Sequence, residues 1–74
     1  MARFPLSQQI EEVERELEQR EKVYPGLIAK RRLGSSIAEF YVGRMHQVLR
    51  TLKWLRRNEA LLRQRCPEMF GEDA

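Results

Sequence analysis

The sequence predicts an all-α protein built as a helical hairpin. Two long segments carry apolar residues at alternating spacings of about three and four, the pattern of helices that bury one face. The pair Pro25–Gly26 separates the two segments and predicts a break between them. A chain of 74 residues forms at most one domain, so we expect a single small helical domain over residues 1–74.

The first helix is predicted at about residues 8–24. Its apolar positions recur at spacings of 4, 3, 4 and 7, at Leu6, Ile10, Val13, Leu17 and Tyr24. Glutamates stand four residues before basic residues in the order that stabilises a helix, as in Glu16–Arg20 and Glu18–Lys22. Pro25 is expected to end this helix, because the residue before a proline is disfavoured in the α region.

A short joint with a possible helical turn is predicted at about residues 26–33, where Gly34 would cap the turn in the left-handed conformation. A long helix is predicted at about 36–66, starting at a Ser36–Glu39 capping box. Its apolar positions are Tyr41, Met45, Val48, Leu52, Leu55, Leu62, Cys66 and Met69. Pro67 should end it, and residues 67–74 are expected to form a flexible acidic tail.

The unequal helix lengths predict a homodimer. A first helix of this length covers only about residues 37–55 of the second, and the end of the long helix would then be left bare. A bare apolar strip on a small protein usually marks an interface. We therefore expect dimerisation through Leu55, Leu62 and Cys66.

A second apolar line lies beside the main seam of the long helix, at Phe40, Trp54 and Leu61. One interpretation is a wide apolar face that packs against more than one neighbour. The other is a protein-binding site formed by this line and Arg57, because Trp and Arg dominate binding hot spots. The second interpretation predicts a non-enzymatic interaction protein.

The charge is distributed unevenly along the chain. Residues 7–24 have a net charge of −3 and residues 50–65 a net charge of +5. Arg50, Lys53 and Arg57 stand at i, i+3 and i+7, so the alternative function is nucleic-acid binding along a phosphate backbone. The same stretch could instead meet the acidic helix of a second copy, or be a solvated surface.

Catalytic chemistry is not expected. His46 is the only histidine and stands outside the apolar seam, and Cys66 is the only cysteine. We predict no enzyme activity, no cofactor and no metal site. No apolar run approaches the roughly 20 residues that span a bilayer, and the free thiol favours a reducing compartment, so we expect no membrane contact and a cytoplasmic location.

Part of the chain resembles short open reading frames of bacteriophages and prophages. Their pattern is a charged helix that ends in R-x-x-V-Y-P, a short joint and a second helix with A-E and a later Met. It matches residues 14–25, Ala38–Glu39 and Met45 here, within about residues 10–52. The basic extension 53–66 departs from that pattern. The resemblance implies an accessory factor that binds or inhibits a host protein in the host cytoplasm. Apart from the resemblance, a third alternative is a purely structural assembly subunit.

Overall fold

The computed structural model describes residues 3–70, and all of their regular structure is helical. The order is α1 (Leu6–Ala29), α2 (Ser35–Arg57), α3 (Glu59–Arg65) and a 3-10 turn (Pro67–Met69). Glu14 and Glu21 of α1 lie beside Lys53 and His46 of α2, so residue numbers rise along one helix as they fall along its neighbour. The two long helices are therefore antiparallel, and the predicted all-α helical hairpin is confirmed.

α1 continues through Pro25 to Ala29, so the prediction that this proline ends the helix was wrong. An interior proline removes the hydrogen bond to the carbonyl of residue 21 and crowds that carbonyl with its ring. Glu21 is exposed, which lowers the cost of that missing bond. Beyond the proline, Leu27 and Ile28 are half-buried and hold the last turn of the helix in place.

The joint between the long helices is shorter than predicted. The left-handed residue is Arg31, with φ of 57°, whereas Gly34 is extended with φ of −69°. α2 begins at Ser35 without a side-chain cap, so the predicted Ser36–Glu39 capping box does not form. The amide of Ala38 donates instead to the carbonyl of Gly34, at 2.9 Å.

The predicted helix over 36–66 is two helices that meet at Asn58. This residue has φ of −107°, and its side-chain amide and backbone N–H both donate to the carbonyl of Trp54, at 2.8 and 3.1 Å. α1 has 24 residues and α2 has 23, so the inference that the second helix extends far beyond the first was wrong. The described part of the predicted tail forms the 3-10 turn, and residues 71–74 lie outside the described residues.

The core of the hairpin is small. Among residues 3–70, the buried apolar side chains are Leu6, Ile10, Leu17 and Ala38. The seam on α2 is also rotated from the predicted one. Tyr41 and Val48, expected inside, are 45% and 47% exposed, whereas their neighbours Val42 and Leu49 are half-buried.

Replacing Arg31 with glycine should stabilise the protein. A non-glycine residue in the left-handed region costs about 1 kcal/mol or more, part of which is offset by the greater chain entropy of glycine in the unfolded state. We expect Arg31→Gly to raise the free energy of unfolding by about 0.5–1 kcal/mol, measured by urea denaturation. Arg32→Gly is the control, since Arg32 has no positive φ, and it should give no gain. Equal effects of the two changes would contradict the argument.

Candidate protein-binding surface

The face of α2 that points away from α1 carries large exposed apolar side chains. Phe40, Trp54 and Leu61 are 59%, 51% and 49% exposed. Phe40 and Trp54 are fourteen residues apart, close to four helical turns, so they share one face. Leu61 follows seven residues later on α3. These three residues, called the outer apolar line below, face solvent as the protein-binding interpretation requires.

Arginines border the outer apolar line. The guanidinium of Arg44 lies 5.0 Å from the centre of the Phe40 ring, a cation–π distance. Arg50 and Arg57 flank Trp54 about one helical turn away on either side. Both are exposed, and no carboxylate within residues 3–70 forms an ion pair with them. The outer face of α2 therefore combines apolar groups with free positive charge.

The three residues of the predicted nucleic-acid site are exposed but not equivalent. Lys53 Nζ lies 3.6 Å from Glu14 Oε2, so this lysine bridges the two helices on one flank of the hairpin. Arg50 and Arg57 have no such partner among the described residues. A phosphate at Lys53 would have to compete with a carboxylate that is already in place.

The predicted dimerisation residues, Leu55, Leu62 and Cys66, are half-buried. Leu55 lines a cleft of about 610 Å³ between the start of α1 and the 3-10 turn, together with Leu6 and Phe70. Arg63 covers the Phe70 ring at 4.5 Å from its centre. The 3-10 turn and the residues before α1 thus cover part of the strip that was expected to be bare.

Groups suited to chemistry are dispersed. His46 is exposed, with Nε2 3.8 Å from Glu21 Oε1, and Cys66 lies at the far end of α3. Within residues 3–70, no three His, Cys, Asp or Glu side chains come together in a way that could hold a metal ion. Over the same residues, the structure contains no helix with the length and apolar character needed to cross a membrane.

A groove along one side of the hairpin was not predicted from the sequence. Two adjoining hollows of about 690 and 430 Å³ share Val48 and run between α1 and α2. Their apolar lining is Phe4, Val13, Tyr24, Tyr41, Met45, Val48 and Leu52. The remaining lining is polar or charged: Gln8, Gln9, Glu11, Glu12, Arg15, Arg20 and Arg44. We call this feature the lateral groove. Its α2 residues had been assigned to the core, which is why no surface was expected there.

On the opposite side of the hairpin, polar groups join the two helices. There Glu14 meets Lys53 at 3.6 Å and Glu21 meets His46 at 3.8 Å. On the groove side, Arg20 of α1 donates to its own neighbour Glu16 at 2.9 Å and not across to α2. This bond raises the pKa of the Arg20 guanidinium above its ordinary value. The two sides of the hairpin are therefore chemically different.

Comparisons with known proteins add no relative. No protein-family model matches the chain, and neither the curated proteins nor the solved structures contain a significant match. The resemblance to short phage and prophage proteins therefore stays a prediction.

Proposed function

We propose that this chain is a non-enzymatic interaction protein that binds another protein through the outer apolar line and Arg57. The observation that supports this proposal most directly is the exposure, by about half or more, of Phe40 and Trp54 on the outer face of α2 and of Leu61 on α3. A partner that covered the exposed part of these side chains would gain hydrophobic free energy of about 25 cal/mol for each Å² of apolar surface removed from water.

The composition of this surface suits a binding hot spot. Trp and Arg are the residue types most enriched where truncation to alanine costs 2 kcal/mol or more. Trp54 has Arg50 and Arg57 on the same helix, within one turn on either side. The partner that fits is a protein with an apolar recess and an acidic rim, because Arg50 and Arg57 beside Trp54 would otherwise be left without counter-charges.

The resemblance to phage and prophage proteins supports a more specific form of this proposal. In that form the chain is an accessory factor that binds or inhibits a host protein in the host cytoplasm. The basic surface around Trp54 would then recognise an acidic surface of the host target.

The double change Trp54→Ala, Leu61→Ala should remove partner binding and leave the hairpin folded, since both side chains are exposed. We expect the amount of partner recovered from host lysate to fall at least about tenfold, because hot-spot truncations cost 2 kcal/mol or more. Recovery is measured by affinity purification with quantitative mass spectrometry, and folding by circular dichroism.

The matched control is Met69→Ala, which shortens an exposed apolar side chain, 46% accessible, away from the outer apolar line. It should leave partner recovery unchanged. If the double variant retains the same partners at the same level as wild type, the proposed binding surface is wrong.

Nucleic-acid binding is the second candidate, supported by the free guanidinium groups of Arg50 and Arg57. It predicts that affinity for duplex DNA falls with salt, with a log–log slope of about 0.9 for each phosphate contacted. Because Lys53 is paired with Glu14, Lys53→Glu should weaken binding less than Arg50→Glu or Arg57→Glu does. Gel-shift titrations at two salt concentrations measure this, and absence of binding at low salt would eliminate the candidate.

A further inference from the structure

The lateral groove is an apolar surface that α1 and α2 leave open. On α2, Ile37, Tyr41 and Val48 recur at spacings of four and seven, so they share one side of the helix, and they are 51%, 45% and 47% exposed. On α1, Val13 is half-buried on the opposite wall of the groove. Phe4, which is 62% exposed, closes one end. Its apolar residues differ from those of the outer apolar line, although the two surfaces adjoin where Arg44 lines the groove and stacks on Phe40.

The hairpin covers little of its own apolar surface. Within residues 3–70 it buries four apolar side chains and leaves nine large ones exposed, among them Tyr41 and Val48 of the groove. A second layer of helices on the lateral groove would cover Tyr41 and Val48.

The charges of the helices indicate what the second layer is. α1 carries six glutamates against three basic residues, a net charge of −3. α2 carries five basic residues against Glu39, a net charge of +4. If a second hairpin lies on the groove with its α2 beside this α1, its α1 lies beside this α2. Each of these two helix pairs then combines a negatively charged helix with a positively charged one. A placement with α1 beside α1 brings like charges together.

We propose that a second copy of this chain occupies the lateral groove and forms a four-helix bundle, with α1 of each copy beside α2 of the other. A two-fold axis parallel to the helices produces this arrangement, and every neighbouring pair of helices is then antiparallel. Tyr41, Val48 and Leu52 of both copies lie in the shared core. The outer apolar line stays exposed on both copies, so this dimer and the proposed partner-binding surface use different residues.

Val48→Glu and Tyr41→Glu should convert the dimer to a monomer, since each would bury a carboxylate in the shared core. The mass in solution, measured by sedimentation equilibrium, is expected to fall from twice 8.9 kDa to 8.9 kDa. Trp54→Glu is the matched control, because Trp54 is exposed to a similar degree on the outer face and should stay dimeric. The proposal is overturned if the wild-type chain is monomeric at every concentration, or if both Val48→Glu and Tyr41→Glu remain dimeric, whatever the control does.

The Val48→Glu and Tyr41→Glu variants are uninformative if their monomers unfold, so a second measurement uses the wild-type chain. The melting temperature of an obligate dimer rises with protein concentration, whereas that of a folded monomer does not change. We expect a rise, and a constant melting temperature with a monomeric mass would overturn the dimer. Loss of partner binding in the Trp54→Ala, Leu61→Ala variant is a separate result, so the two proposals can fail independently.

The salt dependence tests the pairing of α1 with α2 of the other copy. Screening weakens attraction between oppositely charged surfaces, so the dissociation constant of the dimer should rise between low and moderate NaCl concentrations. Sedimentation at a series of NaCl concentrations measures this constant. A dissociation constant that falls as salt is added would contradict this pairing and indicate that like-charged helices are adjacent.

Discussion

The whole structure depends on one seam between α1 and α2. Two helices can bury only the strip of each that faces the other, and here that strip buries Leu6, Ile10 and Leu17 of α1 but only Ala38 of α2. Every other apolar side chain of the described chain remains partly accessible. Hydrophobic stabilisation of a 74-residue chain is modest even with a well-filled core. The narrow seam therefore leaves apolar surface exposed to solvent. It also leaves the folded state with little hydrophobic stabilisation from the hairpin alone.

The fold class could be predicted because heptad spacing on two segments requires two helices with apolar stripes. The helix ends could not, because Pro25 and Asn58 act through their surroundings. A proline stops a helix unless other contacts offset the lost hydrogen bond and the clash of its ring, and beyond Pro25 the partial burial of Leu27 and Ile28 stabilises another turn of helix. Asn58 breaks a helix when its side chain bonds to a carbonyl one turn back, and no spacing rule signals that contact.

The orientation of α2 was beyond prediction for a different reason. This helix has two apolar stripes one residue apart, one through Tyr41 and Val48 and the other through Val42 and Leu49. Both share Met45 and Leu52, so periodicity alone does not distinguish them. The position of α1 decides which stripe is covered. The spacing of Phe40 and Trp54 placed them outside the main stripe, but periodicity alone did not decide whether a neighbour covers them, and the structure leaves both exposed.

The unused stripe explains why α2 is apolar over so much of its circumference. α1 covers Val42 and Leu49, a second copy on the lateral groove would cover Tyr41 and Val48, and Trp54 on the remaining side is bordered by uncompensated arginines. A helix in a hairpin that acts alone needs one apolar stripe, and additional stripes expose hydrophobic surface at a cost in solubility. The basic charge of α2 and the acidic charge of α1 would offset that cost while directing the two stripes toward different occupants. In the proposed dimer, α2 therefore packs against two α1 helices. One is the α1 of its own chain, and the other is the α1 of the second copy.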